Sequence, residues 1–238
     1  MPDRRSTAAL LLGFTVFNLV AVAVLGAAYG WPAVLDEPAA VVLPAFAAAQ
    51  AAVVAGFLLQ TLLSIALVPI SVGLHLEAGG GTGLWPLTVT AFGVPSGLAQ
   101  TLGWIRWPIA VPALATTWLD PATSPEVRTA TEVSYDLLNS YAGGALGEYL
   151  GWLFQALWAV GITVLLLRAR VFGPLTSAIG IGLTAVWALS FLGGPFAPAL
   201  ADGLIGTAGF AAYAVWFFWL DFVGIVVLRT ARTPVGAR

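Results

Sequence analysis

The sequence predicts an all-α integral membrane helix bundle. It has six transmembrane helices, N- and C-termini on the cytoplasmic side, and one amphipathic surface helix between helices three and four. Three observations predict it. Of 238 residues, 60% are hydrophobic and only 8% charged, with a mean hydropathy of +0.95, whereas about a quarter of residues are charged in soluble domains. The apolar residues fall in six runs long enough to cross a hydrocarbon layer of about 30 Å. The arginines gather in alternate connections, as positive charge does on the cytoplasmic side of a membrane. A single transmembrane domain over 1–238 accounts for the chain, with no soluble domain left over.

Helix one spans about 7–28. It follows Arg4 and Arg5 and is apolar except for Thr15 and Asn18. The run is too long for the apolar core of a signal peptide, and more apolar spans follow, so it reads as a retained helix. A proline-punctuated link from Trp31 to Pro44 carries Asp36 and Glu37. Helix two spans about 46–74, with Gln60 and Ser64 one turn apart on one face, and closes at His75 and Glu77. The turn at 79–83 is rich in glycine but lacks the Lys and the Ser or Thr of a phosphate loop.

Helix three, about 84–118, is long for one perpendicular crossing. It reads either as one tilted, kinked helix or as two short spans broken near Gly93-Val-Pro-Ser-Gly97. Splitting it would put Arg168 and Arg170 outside, so the single helix is preferred. Residues 120–141 form the only long polar segment. Ser124-Pro125-Glu126 is a helix start, with a Ser cap, Pro in the first turn and an acid beside it. Val127, Ala130, Val133, Leu137, Leu138 and Tyr141 then recur at helical spacing, as expected of an amphipathic helix lying on a membrane surface. Helices four, five and six span about 142–167, 172–192 and 204–228. With six spans, Arg4, Arg5, Arg168, Arg170, Arg229, Arg232 and Arg238 are cytoplasmic and only Arg128 is in an outer loop. The outer loops collect Asp36, Glu37, Asp120, Glu126, Glu132, Asp136 and Asp202. Trp31, Trp85 and Trp118 fall near the interfaces, as an aromatic belt requires.

The composition also excludes chemistry. All nine basic residues are Arg, so no lysine Schiff base with retinal or pyridoxal phosphate is available. There is no Cys and one His, which rules out thiolate metal sites and paired-imidazole haem. No HExxH or Ser-His-Asp pattern occurs, so no metal, no cofactor and no nucleic-acid partner is expected.

What stands out is Arg106, placed within Leu102-Gly-Trp-Ile-Arg-Trp-Pro-Ile-Ala-Val-Pro112. A guanidinium at that depth costs about 2.5–3.5 kcal/mol on insertion scales, so it calls for a partner. Glu148 lies at a matching depth in Gly143-Gly-Ala-Leu-Gly-Glu-Tyr-Leu-Gly151. Gly143, Gly147 and Gly151 make a small-residue stripe of the kind that lets helices approach closely. The expectation is a buried Arg106–Glu148 ion pair in the outer half of the membrane, with helix three on the glycine face of helix four. Pro108 and Pro112 free the carbonyls of Trp104 and Pro108 beside it. Trp104, Trp107, Tyr149, Trp152 and Gln155 complete a candidate ligand site. Asp221 with Gln60, Ser64 and Asn18 is a second candidate polar set, on a proton or cation path, though no spacing rule supports it.

On Arg106-Trp107, Pro112, Gly147-Glu-Tyr-Leu-Gly151 and Trp158, the chain resembles a family of bacterial and archaeal multi-pass membrane proteins, the domain of unknown function 4386. The second motif often reads Gly-Glu-His-Leu-Gly in that family, and Tyr149 stands here where the His would be. The resemblance carries no activity with it.

The leading functional expectation is therefore a cell-membrane protein holding a small polar ligand or lipid in a cavity around an Arg–Glu pair, with transport as one use of it. A structural or regulatory membrane subunit without a ligand, in which the pair only fixes helix register, is the alternative. An enzyme using Glu148 as acid or base beside Arg106 is weaker, since no nucleophile or metal set accompanies it. The partners expected are the lipid bilayer and that ligand. Pairing of two copies through Gly143, Gly147 and Gly151 is open, with intramolecular packing preferred.

Overall fold

The computed structural model describes residues 4–197, 200 and 202–229. Arg232 and Arg238, counted above as cytoplasmic, lie outside them. Among the described residues there is no strand. The helices are α1 (Arg4–Tyr29), a 3₁₀ turn (Ala33–Asp36), α2 (Ala39–Ala48), α3 (Gln50–Glu77), α4 (Leu84–Trp104), α5 (Arg106–Ile109), α6 (Val111–Leu119) and α7 (Pro125–Leu138). A π-helix (Asn139–Leu150), α8 (Gly151–Arg168), α9 (Pro174–Gly193) and α10 (Gly203–Arg229) follow. Five helical stretches are long and apolar enough to cross a membrane: Arg4–Tyr29, Gln50–Glu77, Pro125–Arg168, Pro174–Gly193 and Gly203–Arg229. They make this a multi-pass membrane protein.

The segment 84–118 stays helical, divided by single turn residues with helical dihedrals at Ile105 and Ala110 into α4, α5 and α6 beside Pro108 and Pro112, as a kinked helix is, and it has no break near Gly93–Gly97. It is not among those five because α4, though 21 residues long, is not apolar enough. Two expectations need correction. The link from Trp31 to Pro44 is helical from Ala39 onward. Its extended Pro38 starts α2, and a single non-helical residue, Ala49, separates α2 from α3. Finally, the surface segment and helix four are not separate elements, since α7, the π-helix and α8 run on as one 44-residue helix.

The chain forms two compact units. Unit one comprises Met1–Thr15, Ala66–Ser96 and Trp152–Arg238. Its ion pair joins Arg4 Nε to Glu77 Oε2 at 3.4 Å, with Glu77 buried. Thr15 donates to the Phe217 carbonyl at 3.2 Å, and Trp219 Nε1 donates to the Thr176 carbonyl at 3.1 Å, tying α10 to α9. The core of this unit is aromatic. Tyr213 stacks on Trp216, with Trp187, Phe191 and Trp152 around it.

Unit two comprises Val16–Ile65 and Gly97–Gly151. Its core is built around Trp107, which is fully buried. Phe57 stacks on that ring at 4.7 Å and 7°, while Tyr29, Phe46 and Tyr135 surround it at 5.5, 6.1 and 6.3 Å. The start of α7 is capped as its sequence requires, with Ser124 Oγ accepting from the Val127 N–H. The apolar stripe of α7 faces away from the core: Val127, Val133 and Leu137 are exposed, and Thr131 and Tyr135 are buried.

One close helix contact in unit two is glycine on glycine, backbone against backbone. A Cβ added at Gly103 would come within 2.7 Å of Gly147 Cα, and one at Gly147 within 2.7 Å of Gly103 Cα. Backbone cannot yield as a side-chain tip can, so overpacking there costs about 1–3 kcal/mol. Gly103→Ala and Gly147→Ala should each lower the thermal midpoint in detergent by several degrees. Gly182→Ala, whose Cβ would meet nothing within 4 Å, should leave the midpoint unchanged or raise it slightly. Equal midpoints for all three variants would refute this packing.

Candidate functional site

Arg106 opens α5, directly after the turn at Ile105, and is only 5% exposed. Its Nη1 donates to the Gly103 carbonyl three residues back. Its Nη2 donates to Asn139 Oδ1 at 2.9 Å. The amide of Asn139 is itself oriented, because Nδ2 donates to the Leu35 carbonyl at 3.3 Å. Asn139 thus links the guanidinium to the 3₁₀ turn at Ala33–Asp36. The guanidinium carbon lies 5.3 Å from the Trp107 ring centroid, a cation–π distance.

Room for the guanidinium comes from a missing side chain. A Cβ at Gly143 would run into Arg106 itself, one at Gly147 into Gly103, and one at Gly151 would come 2.6 Å from the Gln100 side chain. Positions 100, 103 and 106 therefore meet 151, 147 and 143 in antiparallel order. The glycine stripe is filled from within its own unit.

The expected Arg106–Glu148 ion pair is not formed. Among the described residues the ion pair is Arg4–Glu77, and the hydrogen-bond partners of Arg106 are the neutral oxygens of Gly103 and Asn139. Glu148 is partly buried and makes no ion pair with the guanidinium. The reason for the miss is the π-helix, whose i→i+5 turns are wider than the α turns used to match depths and faces. They bring Asn139 and Gly143, not Glu148, against the guanidinium.

A guanidinium has five N–H donors, and two are used here. Arg106 Nε is buried without a hydrogen-bond partner, and so are the Trp107 indole nitrogen and the Tyr135 hydroxyl. Tyr29, 5.5 Å from Trp107, donates to the Val42 carbonyl only at 3.5 Å. Burying each such group without a partner costs about 1–3 kcal/mol, and more for a charged one. The unit therefore keeps a cation and unused donors together in a dry place.

The other expected site residues divide. Trp104 ends α4 and packs against Trp31 and Phe57 within unit two, which also holds Tyr149. Trp152 and Gln155 belong to unit one, where Gln155 Oε1 accepts from Tyr213 at 3.1 Å and Trp152 packs on Phe191 at 4.4 Å. In the second set, Ser64 donates to the Gln60 carbonyl at 2.9 Å, and both lie with Asn18 in unit two. Asp221 lies in unit one, within hydrogen-bonding reach of Thr15, and its Oδ1 is buried without a partner. His75 Nδ1 is 2.8 Å from Thr90 Oγ1, whose hydroxyl also donates to the Pro86 carbonyl, so the ring nitrogen is the donor. Among the described residues no group of three His, Asp or Glu side chains is placed to hold a metal ion.

Sequence reasoning missed Asn139, Tyr135, Tyr29 and Leu35. A signal for two of them was present: Thr131, Tyr135, Asn139, Gly143, Gly147 and Gly151 recur every fourth residue, and all but Asn139 are buried.

A family model described as Domain of unknown function (DUF4386) matches residues 5–224, and the chain belongs to that family. No curated protein and no solved structure matches it.

Two substitutions separate the groups that hold Arg106 from those left over. Asn139→Ala removes the one side chain bonded to the guanidinium and should cost about 1.5–3 kcal/mol of stability, read from denaturation in detergent. Tyr135→Phe removes only an unpartnered hydroxyl and should be neutral or stabilising. A loss in Tyr135→Phe as large as that in Asn139→Ala would contradict the assignment.

Proposed function

We propose that this member of the family is a multi-pass protein of the cell membrane that binds a compact oxyanion, a carboxylate, sulfonate or phosphate group, at Arg106. The observation that carries the reading is a buried guanidinium whose hydrogen bonds go to neutral oxygens, with Trp107 beside it, Tyr135 packed on Trp107, and Arg106 Nε, Trp107 Nε1 and Tyr135 OH buried without partners. Donors and positive charge together suit acceptor oxygens, and arginine is the residue that matches their planar geometry. The group arrives either on a free solute or on a lipid head. Transport of such a solute is one use of the site.

The wider topology proposed is a single transmembrane domain of six crossings with cytoplasmic termini, the broken α4–α6 segment supplying the crossing that is not a continuous apolar helix. Two facts support it. The Arg4–Glu77 pair joins the start of α1 to the end of α3, as an up-and-down pair requires. Charge is also segregated along the sequence: the ends and connections expected inside hold seven of the nine arginines, while those expected outside hold Arg128 with Asp36, Glu37, Asp120, Glu126, Glu132, Asp136 and Asp202. The exposed Val127, Val133 and Leu137 on α7 suit contact with lipid at the outer surface.

The test uses the full chain in phosphatidylcholine nanodiscs, titrated with methanesulfonate and followed by tryptophan fluorescence, with phosphatidylglycerol nanodiscs as the lipid arm. Saturable quenching by methanesulfonate identifies a free solute. A changed spectrum in phosphatidylglycerol that excludes methanesulfonate identifies a lipid head. Arg106→Gln should abolish either response, and Tyr135→Phe should weaken it about tenfold while the fold stays intact. An unresponsive wild type in both arms, or Arg106→Gln binding as well as wild type, would refute the reading.

A further inference from the structure

The side chain bonded to Arg106 is a carboxamide, in a place where a carboxylate of the same length would reach. Asn139 Oδ1 accepts from Arg106 Nη2 at 2.9 Å, and Asn139 Nδ2 donates to the Leu35 carbonyl at 3.3 Å. Each end of the amide thus faces the group that suits it, the oxygen a cation and the nitrogen an acceptor. A buried arginine is ordinarily met by an acid, because both members of that pair are charged and the hydrogen bond between them is stronger for it. Here both oxygens that Arg106 meets, the Gly103 carbonyl and Asn139 Oδ1, are uncharged. The Trp107 ring, 5.3 Å from the guanidinium carbon, is uncharged as well.

We infer that Asn139 sets the charge selectivity of the anion site: as a neutral partner it holds the guanidinium in place and leaves the positive charge to the ligand. The site then takes a monoanion in preference to an uncharged group of the same shape. The inference rests on the binding reading above and names the residue that makes that site selective. Orienting a guanidinium requires acceptors, and an amide oxygen and a carbonyl oxygen supply them without cancelling its charge. An acid at position 139 would supply the same acceptor together with a counterion. An entering anion would then have to displace that acid, or stand as a second negative charge beside one cation in a water-poor place.

The fold itself favours an amide here. Leu35 lies in the 3₁₀ turn Ala33–Asp36, and its carbonyl takes an N–H that a carboxylate does not have. A carboxylate at 139 would set oxygen against oxygen on that side while pairing with Arg106 on the other. Asn139 is therefore a positioning residue whose neutrality, as well as its reach, acts on the ligand through Arg106.

The test compares two changes at one position. Asn139→Ala and Asn139→Asp both remove the donor to Leu35, but only Asp keeps an acceptor for Arg106 and only Asp brings a negative charge. If position 139 served geometry alone, Asp would bind the anion at least as well as Ala. A charge role predicts the reverse order. Dissociation constants for methanesulfonate are measured on the full chain in phosphatidylcholine nanodiscs at about pH 8, where a carboxylate beside a guanidinium is ionised. Asn139→Ala should bind more weakly than wild type, and Asn139→Asp at least about tenfold more weakly still. Thermal midpoints show which variants are folded. Wild type supplies a measurement that needs no variant: it should bind methanesulfonate at least about tenfold more tightly than dimethyl sulfone, the uncharged isostere that also carries two sulfonyl oxygens. Equal affinity of wild type for the two compounds, or a folded Asn139→Asp that binds methanesulfonate as well as a folded Asn139→Ala, overturns the selectivity and leaves binding at Arg106 standing. A wild type that binds neither compound overturns both.

Discussion

A guanidinium in a water-poor helix bundle must be satisfied by something, and in unit two the surrounding structure is arranged by that demand. Arg106 takes the Gly103 carbonyl and the Asn139 amide oxygen, and both require backbones at close range. Glycine at 103, 143 and 147 supplies that range, since a Cβ at any of them would strike backbone or the guanidinium itself. Single turn residues at Ile105 and Ala110 flank Arg106, with Pro108 and Pro112 beside it. The aromatic core follows, because Trp107 immediately after the arginine is the ring on which Phe57, Tyr29, Phe46 and Tyr135 converge.

The π-helix is the second consequence of the same demand. Thr131, Tyr135, Asn139, Gly143, Gly147 and Gly151 are spaced by four, and an α-helix of about 3.6 residues per turn would rotate such a row steadily away from its partner. Turns closed by i→i+5 bonds are wider, so the row stays aimed at 100, 103 and 106. Such turns often occur at functional sites. Here the wide turns carry a hydrogen-bonding amide and two glycines to one cation.

Much of this was legible in the sequence. A lone arginine in an apolar run declares its own importance, and the glycine stripe announces a close helix contact. The arrangement of the two follows from steric and dielectric rules that need no structure. The partner of Arg106 was not legible, because matching depths by α-helical rise assumes one helical form, and twelve residues of π-helix change both face and depth. The π stretch also explains why the polar segment and the helix after it are one element. Residues 39–44 were read as link because Pro38 and Pro44 looked like punctuation. Pro38 instead starts a helix, and Pro44 is accommodated within it. Trp152 and Gln155 were placed by spacing along a helix that in fact passes from one compact unit to the other.

The central claim is that Arg106 waits with a free Nε–H among donors that have no acceptor. Nitrogen-15 NMR of the arginine Nε–H groups tests it most directly, with Arg106→Gln assigning the signal. The account predicts an Nε–H resonance at a shift typical of an unbonded group in the ligand-free protein, moving downfield when methanesulfonate is added, while the other arginine signals stay in place. A signal already in the hydrogen-bonded range and unchanged by the anion would contradict it.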